Sequence, residues 1–502
     1  MKKVNIYAIA VLSLLVFSGC DDYLGDNLDP NQELEENLSP SDLLPTSIVY
    51  TSSGYYNIGV NICQYSQQIA SYFQPGADTQ EEIQITGGWS FIYLQALPDI
   101  QTMEELAVER NSTSYQGIAK ILQATNLGLA TDQWGAIPTS AATLGEEDFT
   151  PTFESQENVY TFINTLLDDA IALLEQDDTS GLTVGEDDLI YGGDLSKWIK
   201  TAYFLKAKYA LHTTEIDQNA AVTAVLAAYQ NAFTSNDDDY QLVYNTRNFN
   251  PWYAGVVLPN ATGNASVLLS DQLISLMDGT QFPFDGIDQD PRLPLITTLG
   301  SEETQYLGAI NGSAGIHAFG ATDDDPNVGA TTDFGATDFY SSQTAPVLIG
   351  SFSELKFMQA EALFLQNGGG TNSTGTTAAG YAAYLDGIRA NFDKIGVDAA
   401  ARDAYLADAS VAVGANNLTL ALLMREKYIA TFLNPESFVD LRRYDFNPEV
   451  FAGLALPVNH NEILNNQWVR RAQYPATEQT RNGEEVERVI KGIGEGVWWD
   501  KD

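Results

Sequence analysis

The sequence predicts a mainly α-helical protein, and three observations point there. Apolar residues recur at three- and four-residue spacing over 96–110, 114–134, 156–176, 194–215, 217–234, 352–366 and 417–433, the period of amphipathic helices. Small residues alternate within these stretches, as in Ala202, Ala207 and Ala210 or Ala360-Glu361-Ala362. That permits helix pairing of the tetratricopeptide type, although no clean repeat period emerges. Two long stretches, 240–350 and 445–502, are instead rich in Gly, Asn, Asp, Thr and aromatics. Loops, short strands and short helices are expected there, and long irregular segments within a domain are usually functional.

At the N-terminus, Lys2 and Lys3 precede the apolar run Val4–Phe17 and read as an export signal. The run is too short to span a bilayer, which needs roughly 20 apolar residues. It ends in Phe17-Ser18-Gly19-Cys20, similar to the lipobox cut by the lipoprotein signal peptidase, with Phe replacing the usual Leu. Residues 1–19 are therefore expected to be removed, leaving Cys20 as the lipid-bearing first residue. One acyl chain binds only marginally, so a stable anchor needs more than one. The polar stretch 20–40 reads as a lipidated flexible tether, and 41–502 as a single domain with insertions at 240–350 and 445–502.

Within that domain, Ser155 and Asp194 stand where a short polar side chain can cap the free amides of a starting helix. Trp134 and Trp198, at helix ends or on helix faces, are expected to anchor the core. Asp290-Pro291-Arg292 should fix a turn. Arg425, Glu426, Arg442 and Arg443 lie at helical spacing and are expected to form structural ion pairs in preference to a catalytic or anion-binding cluster. Gly312–Asp338 is the most loop-like stretch, and 368–380 reads as an exposed connection.

Charge narrows the function. Sixty-seven acids against 24 bases give a net charge of −43, or −45 once the two lysines of the signal are gone. Nucleic acid, which needs clustered Lys and Arg, is excluded as a partner. An acidic polysaccharide would be repelled unless a local basic patch or a cation intervened, so a neutral ligand is the better fit. With Cys20 acylated, Cys63 has no partner and no disulfide framework is available, so the 44% hydrophobic content must build the core.

Little suggests catalysis. His212, His317 and His460 stand far apart without an H-E-x-x-H motif, and no G-x-S-x-G elbow occurs. No metal site or other cofactor is expected. Asp323-Asp324-Asp325, or Asp285, Asp288 and Asp290, offer carboxylates for calcium but lack the spacing of a calcium loop. A glycosidase needs only two placed carboxylates, which keeps a surface hydrolase as the alternative.

Sugar recognition calls for flat apolar faces flanked by planar amides and carboxylates. The candidates are Trp252 and Tyr253 in Asn248-Phe-Asn-Pro-Trp-Tyr-Ala254, where helical period is lacking; Tyr72, Phe73, Gln74 and Asp78 in one turn; and Trp89 after Gly87-Gly88. Trp89 and Tyr93 are four apart and could equally be a helix-face pair. Phe319, Phe339 and Tyr340 are further candidates in the long loop.

Several motifs then follow one another in a telling order. Asp132-Gln-Trp-Gly-Ala-Ile-Pro138, Pro151-Thr-Phe-Glu-Ser-Gln-Glu-Asn-Val-Tyr160 and Tyr191-Gly-Gly-Asp194 with Lys197-Trp198 come first. Asp290-Pro-Arg-Leu293, Ser353-Glu354 with Gln359-Ala-Glu-Ala362, and Arg425-Glu-Lys-Tyr428 through Asp440-Leu-Arg-Arg443 come later. Together they resemble the SusD/RagB outer-membrane lipoproteins of Bacteroidetes from Cys20 nearly to the end. The resemblance implies a SusD-like superhelical scaffold of tetratricopeptide-like helix pairs with a loop-rich ligand face. It also implies a non-catalytic lid that caps a SusC-like TonB-dependent transporter and delivers glycans, or peptides, for import. Acids after Cys20 are similar to surface-export signals of that phylum, which favours an outer-membrane protein facing the exterior through its lipid anchor. The expected ligand is a neutral glucan, with a β-glucan such as laminarin suited to an acidic, salt-adapted chain; a peptide-capturing lid of the same fold is the other alternative.

Overall fold

The computed structural model describes residues 38–72, 76–139, 150–299, 305–313 and 332–501. Cys20 with the signal and most of the tether, Phe73, Gln74, His317, Phe319 and Asp323–Asp325 lie outside the described residues. Pro40–Asp502 forms one compact unit.

The long helices are α1 (Pro40–Tyr65), α2 (Leu97–Glu109), α3 (Thr113–Trp134), α4 (Gln156–Leu174), α5 (Leu195–His212) and α6 (Gln218–Tyr229). After the first insertion come α7 (Phe352–Gln366), α8 (Ala378–Ile395), α9 (Ala399–Ala407), α10 (Leu420–Ala430) and α11 (Glu436–Arg443). Every stretch with helical period is helical. Ser155 accepts from the Asn158 amide at 3.3 Å and Asp194 from the Ser196 amide at 3.0 Å, so both expected caps form. Asp217, Ser351, Thr377 and Thr419 cap α6, α7, α8 and α10 in the same way.

Neighbouring helices pack as pairs: α2 on α3, α3 on α4, α5 on α6 and α7 on α8. The three-residue link Arg110–Ser112 makes α2 and α3 antiparallel. Small residues let the backbones approach. A Cβ on Gly128 of α3 would come within 2.0 Å of the Tyr209 hydroxyl on α5, so only glycine fits that crossing. Trp134 and Trp198 are fully buried, and their indole N–H groups donate to Gln473 O and Asp188 Oδ2, both at 2.9 Å. Each indole thus satisfies its one donor while filling the core.

A buried ionic lattice ties the pairs together. Lys208 bridges Glu354 at 3.2 Å and Glu436 at 3.0 Å, and His212 sits between Glu436 at 3.0 Å and Asp132 at 3.4 Å. Arg292 grips Asp290 at 2.6 Å and Glu426 at 2.7 Å, so the Asp-Pro-Arg turn is locked by its own ion pair. Lys427 and Arg443 share Asp440 and Glu361. Most of these pairs link different helices. Arg442 departs from the expected ion pairing: it donates to the carbonyls of Asp132 and Arg470 at 2.8 and 3.0 Å, between the rings of Phe438 and Trp499. Burial holds its pKa down to about 10.

One antiparallel strand pair clips the first insertion to this scaffold, and two more close the insertion on itself. Strand β1 (Ile69–Ser71) follows α1 and pairs with β3 (Val267–Leu269) in register Ile69↔Leu269. Strand β2 (Tyr240–Val243) pairs with β6 (Pro346–Gly350), and β4 (Thr298–Leu299) with β5 (Thr332–Asp333). The insertion's own helical segment is thereby held against α1.

Candidate ligand-binding face

Helix α1 contains one charged residue, Asp42, in 26. From Leu43 to Ala77 no Asp, Glu, Lys or Arg occurs; the same holds from Ile83 to Pro98 and from Asn248 to Ser270. In a chain where 18% of residues are charged, three uncharged runs of this length are notable only if they meet. They do meet, on the outer side of α1.

Two π-helical turns bring them there. Phe91–Ala96 lies in the second run and Tyr253–Val257 in the third, and both pack on α1. Such turns insert a residue into the helical ladder and recur at functional sites. Tyr56 of α1 lies over the backbone of Gly255, where a Cβ would come within 1.9 Å of the phenol oxygen. On the other flank Asn57 lies against Gly87, where a Cβ would stand 2.6 Å from its Oδ1.

Between the flanks runs a stripe at helical spacing: Tyr50, Ser53, Asn57 and Asn61, all half-buried. The Ser53 hydroxyl donates to Val49 O at 2.8 Å, the Asn57 amide to Ser53 O at 2.9 Å, and the Asn61 amide to Asn57 O at 3.0 Å. Each of the two asparagines commits one of its two amide N–H donors to the helix and stays half-buried, which leaves one N–H and the carbonyl oxygen for a ligand with hydroxyls. Tyr50 stands 6.4 Å from Phe91, and half-buried Tyr253 lies edge-on to Phe249 at 5.6 Å. Burial pushes the Tyr56 phenol up to about 12, so it stays neutral. The same segments leave Leu94, Phe249 and Leu258 71%, 37% and 41% exposed. The face is apolar, aromatic and amide-bearing, without charge among these residues.

The sequence-predicted site residues distribute differently. Trp252 is a correction: it belongs to a helical turn, not a loop, because Asn250 caps the turn by accepting from the Trp252 amide at 2.7 Å and Pro251 starts it. Its ring is 3% exposed, packed edge-on to Tyr56 at 5.1 Å and along Phe334 at 6.0 Å, so it supports the face from below. Trp89 is a second correction. It is 3% exposed and packs on Tyr93 at 4.3 Å, Trp134 at 5.1 Å and Phe153 at 6.2 Å, the helix-face alternative. Asp78 is buried and accepts from the amides of Gly76 and Gly312 at 2.9 and 2.7 Å, clamping two loops. Tyr72 packs half-buried against the small cluster of Ala70, Leu268 and Ala309 beside β1. Tyr340 is buried against Phe432, with Phe339 edge-on to it. Among the described candidates, Tyr253 alone stays on the face. Tyr50, Tyr56, Asn57, Asn61 and Phe91 were missed, although the absence of charge around them was visible in the sequence.

A SusD-like family model, described as "Starch-binding associating with outer membrane", matches residues 36–475. No curated protein matches the chain. Among solved structures it is similar to a SusD/RagB family protein from Bacteroides thetaiotaomicron, at 22% identity and TM-score 0.72, covering 92% of this chain and 99% of that one. It is likewise similar to a chitin-binding protein, at 22% and 0.73 with coverage of 92% and 100%. A chitin-binding SusD homologue from Flavobacterium johnsoniae follows at 19% and 0.69, with coverage of 91% and 99%.

Proposed function

The chain belongs to the SusD-like family of carbohydrate-binding proteins associated with the outer membrane, and on that premise we propose that its uncharged α1 face holds a neutral oligo- or polysaccharide. The observation that carries this reading is the convergence of three charge-free runs on one surface bearing tyrosines, Phe91 and half-buried asparagine amides. A sugar ring can lay its C–H side on an aromatic ring while its hydroxyls donate to Asn57 and Asn61. A free carboxylate or sulfate would find no cation among the described residues of these three runs. A neutral glucan, β-glucans such as laminarin included, fits this chemistry. So does a chitin oligosaccharide, the ligand class of two structural neighbours, whose acetamido N–H is another donor.

The protein acts, in this reading, as a non-catalytic lid that hands its glycan to a SusC-like TonB-dependent transporter while anchored through Cys20 and facing the exterior. No helix among the described residues is long and apolar enough to cross a membrane, which accords with a lipid anchor. The test is an affinity gel containing starch, laminarin or soluble chitin. Retardation by one neutral polymer, reduced in Tyr253→Ala and Asn57→Ala, is the expected outcome. Release of reducing ends would favour the hydrolase, and retention only by peptides the peptide lid.

A further inference from the structure

A cleft of about 1120 Å3, sharing no lining residue with the α1 face, opens where the C-terminal stretch 467–501 folds back on the junction of α3 and α4 at Gly135, Ala136, Ser155 and Gln156. Trp468 and Trp498 line it, both half-buried. The Trp468 ring is backed by Phe446, parallel within 3° at 4.7 Å, and Trp498 by Tyr160 at 5.8 Å. Its volume suits a small saccharide.

The charge lining this cleft runs against that of the chain. Arg470, Arg471, Arg488, Lys491 and Lys501 face Asp445, Glu495 and Asp500, in a protein with almost three acids per base. Arg470 is ion-paired with Asp445 and Asp500, and Arg488 with Glu485 at 2.6 Å. Arg471, Lys491 and Lys501 form no ion pair among the described residues. Arg471 is only 4% exposed, and its Nε and Nη2 donate to the backbone carbonyls of Glu495 and Gly496. Those carbonyls orient the guanidinium without neutralising it. Three acids adjoin this set. Asp500, ion-paired to Arg470, acts on Arg471 and precedes Lys501. Glu495 lines the cleft, and Glu215 accepts from the Lys501 amide at 2.9 Å; burial pushes Glu215 up to about 7, leaving it about half charged at neutral pH.

We propose that this cleft is a second saccharide site, taking a sugar that carries an anionic group. The ring lies on an indole, and the carboxylate or sulfate meets Arg471 with Lys491 and Lys501 close by. An acidic peptide could use the cations but gains less from two half-exposed indoles, so a saccharide is favoured. This site goes beyond the neutral-glycan reading and does not depend on it.

The test titrates the full chain in a neutral detergent with trigalacturonate, a sulfated oligosaccharide, a neutral trisaccharide and an oligoglutamate peptide, followed by calorimetry and tryptophan fluorescence. One of the two anionic sugars binds, identifying carboxylate or sulfate, and binding weakens as salt rises. Lys491→Gln with Lys501→Gln lowers that affinity about tenfold while retardation by the neutral polymer is unchanged. Trp468→Ala removes most of the fluorescence change. Arg471→Gln can fail to fold, so the exposed lysines carry the decision. The proposal is overturned if neither anionic sugar binds, if the neutral trisaccharide binds at this cleft as tightly, if the lysine variant leaves affinity unchanged, or if only the peptide binds.

Discussion

Tyr253 and Trp89 separate two jobs that aromatic residues do in this chain. Trp89 is enclosed by Tyr93, Trp134, Phe153 and Tyr474, so Trp89→Ala should lower unfolding free energy by about 3–5 kcal/mol, read from denaturant curves. Tyr253 is half-buried on the ligand face, and ring stacking is worth roughly 1–3 kcal/mol. Tyr253→Ala is therefore expected to weaken glycan binding about ten- to a hundredfold, with the larger effect on binding rather than on the melting temperature. Residue type in the sequence could not divide these roles. Tryptophan is both the best stacking surface and the largest core filler, and Trp89 and Trp252 were both spent on packing. Tyr253 was legible as a candidate; the asparagines were not, because their value lies in which atoms the helix leaves free.

At the scale of elements, amphipathic helices such as α4 were legible, and their caps Ser155 and Asp194 could be named in advance. Helix α1 was not. It is built from Ser, Thr, Tyr, Asn and Gly with a proline inside, residues of modest helix propensity, and it holds its shape through burial of Ile48, Ile58 and Ile62. Helices α8 and α9 were likewise missed; α8 emerges from a Gly/Ser/Thr stretch, where Thr377 provides the cap. Gly255 fixes how the third run sits on α1. Gly255→Ala must displace Tyr56 and should cost about 1–3 kcal/mol in stability, with weaker glycan retention as well.

The lattice joining α3, α5 and α11 gives a pH signature. Its two carboxylate partners raise the His212 pKa from 6.5 to about 9, overcoming the opposing effect of burial. A raised histidine pKa means the stabilisation is complete below about 6.5 and is lost as pH climbs through 9, a contribution on the order of 3 kcal/mol. Thermal melts from pH 6 to 10 should fall over that window in the native protein, and His212→Gln should flatten the fall. Equal slopes would remove His212 from the lattice's energetics.

Over the whole molecule, charge is distributed by task. The net −43 is carried by the rest of the chain, while two neighbouring runs and a third far downstream meet as an uncharged face. A surface kept against the general trend of the composition marks a place where something apolar and hydrogen-bonding docks. In the proposed reading, a lipid on Cys20 holds the body beside its transporter. Cys20→Ala should therefore leave glycan binding by the purified body intact and impair uptake by cells; equal uptake would reduce the anchor to an address. The most direct test of the account is calorimetric titration of the purified protein with the neutral oligosaccharide selected by the affinity gels, comparing the native chain with a Tyr253→Ala, Asn57→Ala double variant of unchanged melting temperature. The account predicts at least a tenfold loss of affinity in the double variant; undiminished affinity would contradict it and move the ligand to another part of the surface.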